Sequence, residues 1–216
     1  MKTGIIFDLD GTLLDTLDDL HAATNYALAQ YGCPPRTREE VRRFVGNGVE
    51  QLIRQALPGE ANDPDPANVI ATYRAYYNAH CKDRTGPYPG IPEALAVLAE
   101  EYPLAVVSNK PDSAVKPLCR EYFGTIFALG ERTDSPRKPA PNMVWRAMAA
   151  IGVDKCIYVG DSEVDILTAQ NAGVPCLSVT WGFRDADVLR GAGAKYYCDF
   201  PADLPHCIHD IAADMV

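Results

Sequence analysis

The feature that most restricts the fold of this chain is a series of short apolar runs separated by stretches with helical periodicity. Segments Ile91–Glu101, Asn142–Ile151 and Asp165–Ala172 have the helical spacing of apolar residues. Six runs have the length of a strand and are apolar on both faces, as buried parallel strands are: Gly4–Asp8, Leu104–Asn109, Thr125–Leu129, Cys156–Asp161, Pro175–Thr180 and Lys195–Cys198. This alternation predicts an α/β fold built on a doubly wound parallel sheet.

One long segment interrupts the alternation. From Thr16 to about Arg84 the pattern is helical throughout, with helices predicted over Thr16–Gln30, after Asn47 and after Asp65. We therefore predict a core domain, residues 1–14 plus 86–216, and a helical cap domain, residues 15–85. The two connections between them, one of them rich in Gly and Pro, suit a hinged lid. The third cap helix is expected to turn these residues inward: Val69, Ile70, Tyr73, Tyr77 and His80.

Polar side chains follow several of the predicted strands. Each one alone suits a turn or a helix cap. Together they place four carboxylates, a hydroxyl, an amide and a lysine at the sheet edge where open α/β folds bind ligands. The residues concerned are Asp8, Asp10, Gly11, Thr12, Ser108, Asn109, Lys138, Asp161 and Asp165, with Lys110 next to Asn109.

Clustered carboxylates raise one another's pKa unless a cation lies among them, and Mg²⁺ prefers such hard oxygen ligands. This pattern points to phosphoryl transfer. Asp8 would be a metal ligand and a nucleophile, and Asp10 a general acid and base. The phosphate oxygens would be held by the side chains of Lys138, Ser108 and Asn109 and by the backbone N–H groups after Asp10, at Gly11 and Thr12.

The motifs DLDGT, Ser108 after the second strand, Lys138 and GDSEVD occur in this order and resemble the four motifs of the haloacid dehalogenase superfamily, in its phosphatase branch. The resemblance implies that Asp8 is the nucleophile and Asp10 the acid and base, and that Ser108 and Lys138 bind phosphate. It also implies a Mg²⁺ site made by Asp8, Asp161, Asp165 and the backbone carbonyl of Asp10. The helical insert is similar to the small cap of this family, and the acid at position 10, which the dehalogenases lack, favours a phosphate ester as substrate.

The segment FVGNGVEQLIRQAL, Phe44–Leu57, resembles the cap segment of phosphoglycolate phosphatases. Asn47 and Arg54 would then meet the carboxylate of 2-phosphoglycolate, and closure of the cap would bring the loop of Gly46, Asn47 and Gly48 over the substrate. A capped surface helix is the structural alternative. Pyrophosphatases, sugar phosphatases and sugar-phosphate mutases have similar caps, and a non-catalytic phosphate-binding protein is a further alternative that the intact aspartate pair disfavours.

The composition excludes several classes of protein. The net charge of −9 and the pI of about 4.9 argue against nucleic acid as a partner. No apolar run has the length of a membrane span, and the seven cysteines show no CxxC spacing, as is typical of a reduced intracellular chain. We expect a cytoplasmic protein, a monomer or a weak homodimer. His206, Cys207 and His209 could in principle bind a metal, but packing roles are favoured.

Overall fold

The structure is a computed structural model that describes residues 2–215, and it divides into two compact units. One unit runs from the N-terminal strand to Leu14 and resumes at Pro87, and the other comprises Asp15–Gly86. None of the helices within residues 2–215 combines the length and the apolar character that a membrane crossing requires.

The strands are numbered along the whole chain: β1 Thr3–Phe7, β2 Leu14–Asp15, β3 Gly86–Pro87, β4 Leu104–Pro111, β5 Phe127–Glu131, β6 Lys155–Gly160, β7 Cys176–Val179 and β8 Tyr196–Cys198. The helices are α1 Leu17–Gln30, α2 Arg38–Phe44, α3 Gly48–Ala56, α4 Pro66–His80, α5 Ile91–Ala99, α6 Asp112–Phe123, α7 Asn142–Ile151, α8 Glu163–Ala172, α9 Ala186–Gly191 and α10 Leu204–Asp214. A short 3₁₀ helix, Pro201–Asp203, precedes α10.

The first unit is built on a six-stranded parallel sheet in the order β5-β4-β1-β6-β7-β8. Strand β1 lies in the middle, with Phe7 in register with Val106 of β4 and Val159 of β6. From β1 the strand order runs outward in both directions, so the carboxyl end of β1 lies at the topological switch point. Ligands bind at this point in open α/β sheets.

Both faces of the sheet are covered, which explains why its strands are apolar on both sides. Ile5 and Phe7 point into a core formed with α5, α6 and α10, whereas Ile6 points into a second core formed with α7 and α8. Successive residues of a strand face opposite sides. The fully apolar run of β1 is thus the sequence signature of a strand buried between two helical layers.

The second unit consists of helices α1 to α4. The stripe of α1 predicted from the sequence is buried, including Leu20 and Leu28. Asp19, also buried, accepts hydrogen bonds from the backbone N–H groups of Arg84 and Thr85 at 3.0–3.1 Å. This carboxylate fixes the end of the helical segment to its beginning.

The predicted fold class is confirmed: the sheet is parallel, with helices on both faces. The six predicted strands correspond to the six strands of the parallel sheet, whereas the two-residue strands β2 and β3 were not predicted. The largest shift is in β5, which begins at Phe127 instead of Thr125. Helices α2, α6, α9 and α10 were missed. The first and third of these bury one residue each, Val41 and Leu189, and so give no periodic signal, whereas α6 and α10 have apolar residues at helical spacing that were overlooked. Two predicted inward residues of α4 are only partly buried: Ile70, and His80, whose ring stacks on Tyr76 and whose Nδ1 lies 2.8 Å from Asp83.

Candidate active site

The adjacent carboxyl ends of β4, β1 and β6 bring the predicted polar residues of the first unit together. Asp8 directly follows β1 and Asp161 directly follows β6, while Ser108 lies in the last half of β4. These neighbouring parallel strands end at one edge, so residues more than 150 positions apart in the sequence become neighbours in space.

Three buried carboxylates form the centre of the site. Asp8, Asp161 and Asp165 each offer an oxygen atom, and these atoms lie within 4.8 Å of one another. Burial, together with the charges of Asp165 and Asp161, raises the pKa of Asp8 to about 8 despite the opposing pull of Lys138. Burial and the charge of Asp165 raise the pKa of Asp161 to about 7. The cluster therefore holds more negative charge than the protein neutralises, and a divalent cation among these oxygens would neutralise the excess.

Lys138 is the cation of this cluster. Its Nζ lies 2.9 Å from Asp8 Oδ1 and 2.7 Å from Asp165 Oδ1, and its side chain is almost fully buried. Burial opposes its charge, but the carboxylates of Asp165 and Asp8 hold the pKa of Lys138 well above its usual range. The lysine is therefore protonated at neutral pH.

Asp165 organises the residues around Lys138. Its Oδ2 accepts hydrogen bonds from the backbone N–H and the hydroxyl of Ser162, at 3.1 and 2.6 Å, and completes a capping box at the start of α8. Its Oδ1 accepts the hydroxyl of Tyr158 at 3.2 Å in addition to Lys138. One carboxylate thus begins a helix and holds the site lysine in place.

Asn109 also acts on Lys138, but through the backbone. Its side-chain oxygen accepts the N–H of Lys138 at 2.8 Å, and its side-chain amide donates to the carbonyl of Lys138 at 3.1 Å. This two-point contact fixes the loop that carries the lysine. The neighbouring Ser108 is buried, and its Oγ accepts the N–H of Lys110 at 3.2 Å, which leaves the hydroxyl proton free to be donated elsewhere.

The turn after β1 is fixed against Asp161. The hydroxyl of Thr12 donates to Asp161 Oδ1 at 3.1 Å, and the backbone N–H of Phe183 donates to Asp161 Oδ2 at 2.7 Å. Gly11 adopts a φ of +85°, and a Cβ there would collide with the carboxylate of Asp161. Only glycine allows this turn to approach the acid so closely.

The N–H groups expected to bind phosphate are partly used within this turn. Gly11 N–H donates to the carbonyl of Leu14 at 2.9 Å, and Thr12 N–H to that of Leu9 at 3.3 Å. Within residues 2–215, no acceptor is found for the N–H groups of Leu9 and Asp10. The backbone donors that remain for a ligand therefore lie directly after Asp8, slightly upstream of the predicted positions.

Asp10 lies beside a second buried lysine. Lys110 Nζ lies 2.8 Å from Asp10 Oδ1 and 3.1 Å from Oδ2. The exposed fractions are 2% for the side chain of Lys110 and 13% for that of Asp10. The acid is thus the more accessible partner of a buried ion pair.

The predicted cap residues belong to the helical unit and are described there alone. Gly46 and Gly48 have φ values of +123° and +81°. Asn47 precedes α3, but its side chain makes no capping hydrogen bond, so the helix-cap interpretation does not account for it. Arg54 is 56% exposed and lies 3.1 Å from Glu50, one turn earlier in α3.

Sequence reasoning placed Lys110 at the sheet edge without assigning it a role, and it missed two further groups that shape the site: the phenol of Tyr158 and the N–H of Phe183. Lys110 was visible beside Ser108 and Asn109, and its position at the end of a strand was the available signal. Tyr158 resembled an ordinary core residue of β6, and a backbone N–H has no sequence signal. Of the described residues, only the three central aspartates form a group that could hold a metal, and this group does not include His206, Cys207 or His209. All seven cysteines are free thiols.

Comparisons with known proteins agree with this geometry. The family model described as haloacid dehalogenase-like hydrolase matches residues 5–179. A phosphoglycolate phosphatase from Cereibacter sphaeroides is 38% identical over 194 residues, which cover 86% of this chain and 88% of that protein. Phosphoglycolate phosphatase 1 from Pseudomonas aeruginosa is 34% identical over 98% of this chain and 81% of its own length.

Solved structures give the same result. A predicted phosphoglycolate phosphatase from Lactobacillus delbrueckii subsp. bulgaricus superposes with a TM-score of 0.88 at 38% identity, covering 96% of this chain and 99% of that chain. The CbbY protein from Rhodobacter sphaeroides, solved in complex with phosphate, has a TM-score of 0.79 at 25% identity, covering 97% of this chain and 100% of that chain.

Proposed function

This chain belongs to the haloacid dehalogenase-like hydrolases and is a phosphoric monoester hydrolase, and we propose that its preferred substrate is a small carboxylate-bearing ester, 2-phosphoglycolate. The observation that carries the proposed chemistry is the position of Asp8. This carboxylate lies at the switch point of the sheet, 2.9 Å from the buried ammonium of Lys138 and among two further carboxylates. This is the environment that a nucleophile needs when it attacks an anionic phosphate.

We propose a two-step reaction on Asp8. In the first step, a carboxylate oxygen of Asp8 forms a bond to phosphorus, the ester bond breaks, and Asp10 gives its proton to the departing alcohol oxygen. In the second step, Asp10 takes a proton from a water molecule whose oxygen attacks the phosphorus of the aspartyl-phosphate. The products are the alcohol and inorganic phosphate, and both side chains return to their initial states.

Three of the proposed donors for the phosphate oxygens are not used within the protein: the hydroxyl of Ser108 and the N–H groups of Leu9 and Asp10. The fourth is the ammonium of Lys138, which already contacts Asp8 and Asp165 and would share its charge with the phosphate. Asn109 acts one step away in this proposal, because both ends of its amide bind the backbone of Lys138. Fixed donors of this kind stabilise charge that shifts among the phosphate oxygens in the transition state.

The residues present fit a divalent cation, and we propose Mg²⁺. Asp8 and Asp161 would hold it together with the carbonyl of Asp10, and Asp165 would complete the negative cluster from the side of Lys138. The raised pKa values of Asp8 and Asp161 support a site that needs positive charge beyond that of its lysine. When bound, the ion neutralises phosphate charge beside the nucleophile.

The substrate preference rests on the relatives and on the segment Phe44–Leu57. Two relatives named phosphoglycolate phosphatase align with 86% and 98% of this chain, and the family match over residues 5–179 spans this segment. Asn47 has a side chain that its helix does not use, and Arg54 is an exposed guanidinium, so both could bind a carboxylate. We assign the recognition of the non-reacting end of the substrate to these residues.

The proposal is tested with Asp8→Asn and with a panel of esters: 2-phosphoglycolate, p-nitrophenyl phosphate, pyrophosphate and several sugar phosphates. We expect Mg²⁺-dependent phosphate release, the highest kcat/KM for 2-phosphoglycolate, and no turnover by the variant, because an amide is a poor nucleophile. The control variant is Asp187→Asn, whose parent side chain is 90% exposed on α9. Turnover by a clean Asp8→Asn preparation above a few per cent would exclude the nucleophile, and a better sugar phosphate would exclude the substrate.

A further inference from the structure

The ion pair between Lys110 and Asp10 has a geometry that stability does not explain. One ammonium nitrogen contacts both oxygens of the carboxylate, at 2.8 and 3.1 Å, and the lysine is almost fully buried. A buried ion pair contributes little to net stability, because removing two charges from water offsets most of their attraction. A functional reason is therefore needed for a second buried lysine in this site.

The backbone of β4 is shaped to deliver this lysine. The pairing of β4 with β5 shifts register between Val107 and Pro111, and Ser108 Oγ accepts the N–H of Lys110 within that irregular stretch. Asn109, in the same stretch, fixes the loop that carries Lys138. Asn109 thus holds the backbone of Lys138, and its neighbour Lys110 holds the carboxylate of Asp10.

The two buried lysines divide the carboxylates between them. Lys138 lies against Asp8 and Asp165, whereas Lys110 lies against Asp10. An aspartate side chain on its own samples several rotamers, and most of them would point its oxygens away from a given atom. A charge-assisted contact with both oxygens selects one rotamer and still leaves the outer face of the carboxylate accessible.

We propose that Lys110 is a positioning residue for the acid and base Asp10, which it holds in the one orientation that reaches the leaving oxygen. The inference rests on the proposed function, because it requires a reaction in which Asp10 transfers a proton. Proton transfer needs heavy atoms within hydrogen-bond distance, so a carboxylate free to rotate would lose much of its contribution. The competing role for Lys110 is direct binding of the substrate phosphate, as assigned to Lys138.

A double-mutant cycle separates these two roles. The variants are Lys110→Met, which keeps the length without the charge, Lys110→Arg, Asp10→Ala and the combination of Lys110→Met with Asp10→Ala. Each is measured with p-nitrophenyl phosphate, whose leaving group needs little protonation, and with 2-phosphoglycolate, whose alkoxide needs it strongly. The matched control is Lys116→Met, which removes an ammonium that is 49% exposed and pairs with Asp112.

For Lys110→Met we expect kcat to fall roughly 10- to 100-fold with 2-phosphoglycolate, a part of the usual contribution of acid–base catalysis, and about 3-fold or less with p-nitrophenyl phosphate. In the Asp10→Ala background the same substitution should cause no further loss, because the residue it positions is absent. Lys110→Arg should recover part of the activity with 2-phosphoglycolate, and Lys116→Met should match the wild type.

Equal losses with both substrates, or losses that multiply in the double variant, would overturn the positioning role and assign Lys110 to the phosphate. If Lys110→Met does not fold, the ratio of the two substrates in Lys110→Arg and Lys110→Gln decides in the same way. Absence of wild-type turnover with every ester would instead overturn the proposed function, and this role with it. If the wild type turns over normally and the Lys110 variant loses activity equally with both substrates, only the role of Lys110 is overturned.

Discussion

Gly182→Ala is the substitution for which the structure gives the most direct physical consequence. Gly182 lies in the loop after β7, and a Cβ there would stand 2.5 Å from Asp161 Oδ2 and 2.5 Å from the carbonyl oxygen of Gly11, and would also collide with Asp161 Cβ. Ordinary van der Waals contact begins at 3.4 Å, so these neighbours would have to retreat by about 0.9 Å. The added methyl group therefore acts on the centre of the site.

Rotation of the Asp161 side chain relieves only the contact with Oδ2, because the positions of Asp161 Cβ and of the Gly11 carbonyl are fixed by the backbone. The backbone that carries Asp161 must therefore shift together with its carboxylate, unless the loop that contains Gly182 moves instead. Overpacking of this kind costs about 1–3 kcal/mol. If relief of that strain displaces the Asp161 carboxylate from its metal-binding position, the same energy is lost from metal binding. At 1.4 kcal/mol for each factor of ten, the Mg²⁺ concentration for half-maximal activity should rise roughly 5- to 150-fold.

The measurement is a Mg²⁺ titration of initial rates with p-nitrophenyl phosphate, together with thermal unfolding in EDTA. The matched control is Gly191→Ala, at the end of α9, where a Cβ would have nothing within 4 Å and φ is not positive. This control should keep the wild-type Mg²⁺ dependence and the wild-type melting temperature, or a slightly higher one, because alanine favours a helix over glycine.

Two results would refute this reasoning. A wild-type Mg²⁺ titration for Gly182→Ala would mean that Asp161 does not move or does not bind the metal. A large fall in melting temperature with an unchanged Mg²⁺ dependence would mean that the loop containing Gly182 moves away and leaves the carboxylate in place.

Two further predictions concern the substrate and the metal. Arg54→Ala should raise the activation free energy that kcat/KM reports for 2-phosphoglycolate by about 1.5–3 kcal/mol, the energy of a charged hydrogen bond, and leave kcat/KM for p-nitrophenyl phosphate unchanged. Equal effects on both substrates would make Arg54 a surface residue. The folded-state pKa values of Asp8 and Asp161, about 8 and about 7, lie above the ordinary value of 3.8, so the metal-free protein should lose stability as pH rises from about 4 to 8. Metal binding needs both groups ionised, so the gain in melting temperature on adding Mg²⁺ should be larger at pH 8.5 than at pH 6, and a pH-independent gain would contradict this assignment.

The sheet could be predicted from the sequence because its information is local. A run such as Ile5-Ile6-Phe7 is apolar on both faces only if helices cover both, and this requirement is legible in the residues themselves. Helices α6 and α9 were missed because their burial depends on what packs against them. Pro117 lies inside α6, and α9 buries little beyond Leu189. A stripe one residue wide, as in α9, gives no periodic signal, whereas the apolar residues of α6 have helical spacing and only Pro117 argues against a helix there.

The positions of the central acids could be predicted because they follow strands, and the edge of a parallel sheet collects whatever follows its strands. Their partners could not. The N–H of Phe183 and the close approach of Gly182 arise from a loop after β7, whose path depends on Trp181 donating to the carbonyl of Thr12 at 3.0 Å. A loop path is set by long-range contacts of this kind, and a single sequence does not encode them in any local pattern.

Asp165 shows why the structural and the functional interpretations of a motif residue need not compete. One oxygen of its carboxylate closes the capping box with Ser162, and the other holds Lys138 and the hydroxyl of Tyr158. The first role fixes the start of α8, and the position of α8 in turn fixes the oxygen that holds Lys138. If the cap were lost, the lysine would lose its anchor even though the acid remained. A residue that both begins a helix and anchors the site cation makes the geometry of the site a consequence of the fold.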